Sequence, residues 1–145
     1  MTTIRRSTLV LATLAALLVG ACGAAPSEPA EPEPAVVEPI DGSVVKRVTL
    51  TDDAVERLGI ETSPVTDAAG GRLLVPSSTV LYDQDGQAWV YTNPEGHVFL
   101  RAQITILGTT GEDTVLTAGP PAATPVVTVG VAELYGTELG GGDPE

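Results

Sequence analysis

Beyond an apolar run at residues 9–19, the hydrophobic positions of this chain fall in short groups separated by turn residues. Between 44 and 50 they alternate: Val45, Arg47 and Thr49 lie to one side and Val44, Val48 and Leu50 nearer the other, the period-two pattern of a half-buried strand. Thr51 is predicted to cap a short helix, with Asp52 and Asp53 in the first turn, where the helix dipole favours negative charge. Ala54, Val55 and Leu58 give that helix an apolar face, and Gly59 stops it. Strand resumes over 60–65, a turn follows at 67–71, and 72–75 forms a strand that Pro76 ends or places on an edge.

Residues 79–82 and 88–92 flank Asp83, Gln84, Asp85 and Gly86, which predicts a hairpin. A second turn at 93–96 leads into the longest strand signal, 98–107. Strands at 113–117 and 126–129 finish the sheet, and 132–135 forms at most one helical turn. About seven short strands with one short helix predict a mostly β fold, a small barrel or sandwich over residues 44–136, in which Trp89, Tyr91 and Phe99 are the large core groups. Residues 137–145 read as a flexible acidic tail.

The N-terminus reads as an address. Arg5 and Arg6 precede the apolar run, and small residues Gly20 and Ala21 follow it, which makes residues 1–21 a secretory signal. The run is shorter than the roughly 20 apolar residues a membrane-spanning helix needs. Val19, Gly20, Ala21 and Cys22 resemble the lipobox of bacterial lipoproteins, which implies cleavage between Ala21 and Cys22 and a diacylglyceryl group on the Cys22 thiol. Two acyl chains hold a protein stably on a membrane where one does not. Cys22 is the single cysteine, so no intramolecular disulfide supports the fold. The expected location is therefore the extracytoplasmic face of the cell membrane, through lipid on Cys22.

Between the anchor and the domain, residues 22–43 are rich in proline and glutamate and contain no aromatic residue, so they are expected to stay a disordered tether. Some 20 residues reach about 60 Å as polyproline II and about 25 Å as a loose coil.

Charge narrows the partners. Without Arg5 and Arg6, five basic side chains stand against nineteen acidic ones, a net charge of −14 from Cys22 onward. That surface repels phosphate backbones, and few aromatics remain for base stacking, so nucleic acid is not expected as a partner.

Catalytic patterns are weak. His97, the single histidine, follows a glycine turn at a strand start, and no serine sits in a GxSxG elbow, so His97 reads as an ordinary strand-edge residue. Asp83 and Asp85 with Gly86 echo part of a calcium loop, but Ala88 and Pro94 stand where its glycine and bidentate glutamate belong, so these are turn residues. GTTGED at 108–113 lacks the Lys-Ser/Thr pair of a phosphate loop and reads as a connecting turn. No catalytic residue, metal site or cofactor is expected, and the chain does not read as an enzyme.

KRVTLTDDAVERLGIETSPV resembles the opening of the membrane-proximal region of the periplasmic adaptor subunits of RND-type efflux pumps, the membrane fusion proteins. VPSSTVLYDQDGQAWVYTNPEGHVFLRAQITIL is similar to their C-terminal part, and TVLTAGPPAATPVVTVGVAELYG to their closing segment. A full adaptor carries a lipoyl-like domain, an α-helical hairpin and a β-barrel between those halves, whereas here Val65 and Arg72 are joined by six residues. The resemblance implies one small membrane-proximal domain assembled from both halves. It further implies a non-enzymatic accessory module that docks on an RND-type transporter or another envelope partner without bridging two membranes. A lipoprotein that captures a small molecule or cation with its exposed carboxylates is the alternative.

Overall fold

Runs of consecutive buried residues mark the centre of the fold: Trp89, Val90 and Tyr91 in one segment and Val126 and Val127 in another are all nearly inaccessible. Neighbours along a strand point to opposite faces, so a strand buried at successive residues must be covered on both sides. A computed structural model describes residues 33–140 and shows what covers it. The signal segment 1–21, Cys22, residues 23–32 of the expected tether and residues 141–145 of the expected tail lie outside the described residues.

The first strands are β1 (Ala35–Pro39) and β2 (Lys46–Leu50), followed by helix α1 (Asp52–Leu58), β3 (Glu61–Pro64), β4 (Thr66–Ala68) and β5 (Arg72–Pro76). A 3-10 turn, Ser77–Thr79, leads to β6 (Leu81–Tyr82), β7 (Ala88–Glu95), β8 (Val98–Gln103) and β9 (Thr105–Thr110). The last described elements are β10 (Asp113–Ala118), β11 (Pro125–Val129) and helix α2 (Val131–Gly140).

Eleven strands thus form two antiparallel sheets. The larger has the order β1-β2-β8-β7-β11-β3, with β6 also paired to β7; the smaller has the order β4-β5-β10-β9. The fold is mostly β and sandwich-like, and no closed barrel forms among the described residues. Between the sheets lies an aliphatic core of Val65, Val75, Val90, Ile104, Leu116 and Val126. On the other face of the larger sheet Val48, Leu50, Tyr91, Phe99 and Val127 pack with Ala54 of α1 and Leu134 of α2. Trp89, Tyr91 and Phe99 are buried as expected, and both helices cover the side on which the two smaller aromatics lie.

Helix α1 forms as its residues dictate: the Thr51 hydroxyl accepts from the Ala54 N–H at 3.2 Å, and Gly59 closes the helix in the left-handed region at φ 62°.

Several expectations are corrected. The tether does not extend to residue 43, because Ala35–Pro39 pairs antiparallel with β2, Val37 opposite Val48. Proline is compatible with this strand since Pro39 stands at its end and the strand is an edge, so no interior ladder bond is lost. The segment 98–107 is two strands: the chain leaves the larger sheet after Gln103, buries Ile104, and enters the smaller one at Thr105. Ile104 remains tied to the first sheet through its N–H to the Ala88 carbonyl at 3.0 Å.

The turn expected at 93–96 begins later, because β7 runs to Glu95 through a register shift that accommodates Pro94. Within 67–71 a short strand, β4, precedes the turn, and part of 79–82 is 3-10 helix. The final helical turn is a ten-residue helix, so residues 137–140 are not tail.

Candidate functional site

Strand parity decides which polar groups meet. In the β7–β8 ladder Tyr91 stands opposite Arg101 and Trp89 opposite Gln103, and Phe99 stands opposite Val48 across β2. Steps of two keep Trp89 and Tyr91 on one face, with Phe99, Arg101 and Gln103 beside them. That face is the one α2 covers. On α2, Val131, Leu134, Tyr135 and Glu138 recur at the spacing of one helical stripe, which aims Glu138 at the sheet.

Glu138 is buried, its side chain 1 % exposed, and Arg101 nearly so at 6 %. Glu138 Oε1 accepts from Arg101 Nη2 at 3.0 Å and from the Lys46 backbone N–H at 3.1 Å, while Oε2 accepts from the Tyr91 hydroxyl. Three donors from three strands therefore hold one carboxylate of the C-terminal helix. Burial, reinforced by the hydrogen bond to Glu138 and its negative charge, holds the Tyr91 hydroxyl well above the 10.0 of an ordinary phenol. Arg101 is also in contact with two rings, its Cζ lying 4.6 Å from the Trp89 centroid and 5.2 Å from that of Tyr135. Arg101 Nε is buried without an acceptor, the one such side-chain atom among the described residues.

Above Arg101 opens a cleft of about 450 Å³ lined by Val44, Asp83, Asp85, Trp89, Arg101 and Tyr135 together with Gln84, Gln87 and Gln103. Its walls are fixed. Asp83 Oδ2 accepts from Trp89 Nε1 at 2.8 Å, and its Oδ1 accepts from the backbone N–H groups of Asp85 at 3.0 Å and Gln87 at 2.8 Å. Burial alone would raise the Asp83 pKa, but the N–H groups of Gln87, Trp89 and Asp85, aided by Arg101, outweigh it and hold the carboxyl below its ordinary 3.8. Gln103 donates to Gln87 across the rim.

Chemically, this arrangement sets aromatic and apolar walls beside the carboxyl groups of Asp83 and Asp85. No group of three or more His, Cys, Asp or Glu side chains suited to a metal occurs among the described residues.

The residues singled out in the sequence scatter. Asp83 and Asp85 with Gly86, at φ 76°, do form the β6–β7 turn, and Asp83 in addition anchors Trp89. His97 stands away from them, its Nδ1 3.1 Å from Asp52 Oδ1 at the start of α1. In GTTGED, Gly108, Thr109 and Thr110 belong to β9 and Asp113 to β10, which leaves Gly111 and Glu112 as the turn. Ala21 and Cys22 lie outside the described residues.

Arg101 and Glu138 escaped sequence reasoning. Glu138 reads as one charge of an acidic tail, yet the stripe begun by Val131, Leu134 and Tyr135 reaches Glu138 one turn later. A charged residue at the next position of an apolar stripe was the available signal. Comparison with protein families, curated proteins and solved structures found no match to this chain.

Proposed function

We propose that this protein is a membrane-anchored, non-enzymatic accessory lipoprotein that docks on an RND-type transporter or another envelope partner in the manner of the membrane-proximal domain of an efflux adaptor. One observation carries the reading. Apart from the edge strand β1, which pairs with β2, the strands before the short 65–71 connection join the larger sheet through strands after it, β2 with β8 and β3 with β11. A domain built this way is complete without anything at the connection, which is where a full adaptor carries its additional domains.

The anchor supports the same reading. Because β1 begins at Ala35, only residues 23–34 separate Cys22 from the sheet. Thirteen steps of chain span at most about 45 Å, so a lipidated Cys22 keeps the domain close to the membrane surface, where the periplasmic parts of transporters stand.

Affinity capture of the full, lipidated chain from native membranes, together with efflux measured in a deletion strain, tests this. Co-purification of a transporter and reduced efflux are expected. Capture without any transporter, with efflux unchanged, contradicts it. A second reading, a ligand-binding lipoprotein, is favoured by the cleft beside Trp89.

A further inference from the structure

The cleft over Arg101 has a composition that selects among ligands. We propose that it binds an amphipathic organic cation, an amine or quaternary ammonium group carrying an apolar body. The inference rests on the ligand-binding reading and names the chemical class for it, independently of any transporter.

Volume comes first: about 450 Å³ falls in the range that holds a small organic molecule. The apolar part of the lining is Val44, which is 82 % exposed, with Tyr135 and the accessible rim of Trp89, 8 % exposed. An exposed valine at the mouth of a cleft with two aromatic rings is surface that an apolar body would cover.

Charge then sets the sign. Arg101 is the single basic side chain in the lining, and it is already paired to Glu138 at 3.0 Å. Asp83 and Asp85 remain, so the lining with Glu138 carries three carboxylates against one guanidinium. An anion entering here meets net repulsion, within a chain that is strongly acidic as a whole.

Two further facts exclude neighbouring possibilities. The guanidinium already sits over the faces of both rings, so an incoming cation cannot stack there and must pair with a carboxylate. Asp83 is engaged by three N–H donors, so Asp85, an exposed residue of the same lining, is the available partner. Three bound donors also make Asp83 a poor metal ligand, and one free carboxylate does not make a metal site.

Trp89 is the only tryptophan in the chain, so its fluorescence reports on this cleft. Three probes with one apolar body separate charge from hydrophobicity: 4-phenylbutylamine, 4-phenylbutanol and 4-phenylbutyrate, titrated into the full chain. The expected result is a saturable change with the amine, a midpoint about tenfold higher with the alcohol, and no saturation with the acid. Asp85→Asn, a surface substitution with far-UV circular dichroism unchanged, is expected to weaken the amine about fivefold and the alcohol not at all. Added salt weakens the amine alone. Equal midpoints for the three probes, no saturation with the amine up to about 10 mM, or an amine midpoint unchanged in Asp85→Asn overturns the proposal.

Discussion

The two faces of the larger sheet are packed by different chemistry. Toward the smaller sheet every member of the core is aliphatic, and the buried polar groups there are hydroxyls, with Ser77 Oγ and Thr114 Oγ1 hydrogen-bonded at 2.9 Å. Toward the helices the core contains Tyr91 and Phe99 and continues into Arg101, Glu138 and the cleft. The same strands supply both: Val90 faces one way and Tyr91 the other, Val126 one way and Val127 the other. The sheet-facing side behaves as scaffold, where only volume matters. The helix-facing side holds the groups that can recognise something.

The largest expected difference between the faces follows from removing Glu138. Breaking a buried ion pair by deleting one partner costs about 3–5 kcal/mol, because the remaining charge stays buried. Glu138→Ala should lower unfolding free energy by that amount in urea, and Glu138→Gln, which can still accept two hydrogen bonds, by less. On the scaffold side, Leu116→Ala removes a fully buried side chain and should cost about 3 kcal/mol by cavity formation, with no change in pH dependence.

Tyr91→Phe separates the faces by pH. It leaves Glu138 Oε2 without its donor, for an expected loss of about 1–3 kcal/mol near neutrality. The sign of the alkaline effect is fixed by the raised folded value. The stabilisation is complete below the unfolded pKa of 10.0 and is lost as pH rises above it, since only the unfolded phenol then ionises. Wild type should therefore lose stability above about pH 10 more steeply than Tyr91→Phe, read by urea unfolding at several pH values. The smallest effect is expected at Thr51→Ala, about 1 kcal/mol for the lost cap of α1.

How much of this was legible in the sequence differs between the same two regions. Local signals survived intact: the Thr51 cap, the Gly59 stop and the Asp83 to Gly86 turn each depend on residues close in the chain. Burial of Trp89, Tyr91 and Phe99 was likewise legible, since large aromatics in a small domain have few other places to go. The second sheet was not. A strand that crosses from one sheet to another at Ile104 has the same period-two pattern as a single long strand.

Composition misled at both ends of the domain. Glu38 and Pro39 continue the composition of the tether although the edge position tolerates them, and the acidic C-terminal stretch hid Glu138. The cleft was unreadable because Asp83, Arg101 and Tyr135 are brought together only by the pairing of β7 with β8 and by the fold of α2 over them.

The division between scaffold and recognition is tested most directly by titrating 4-phenylbutylamine into Glu138→Ala and Leu116→Ala at a temperature where both remain folded, with Trp89 fluorescence as the readout. Loss of the Glu138 carboxylate should free Arg101 to oppose a cation and abolish the saturable response, while Leu116→Ala keeps the wild-type midpoint despite its lower stability. An unchanged midpoint in Glu138→Ala, or a lost response in folded Leu116→Ala, would contradict the division.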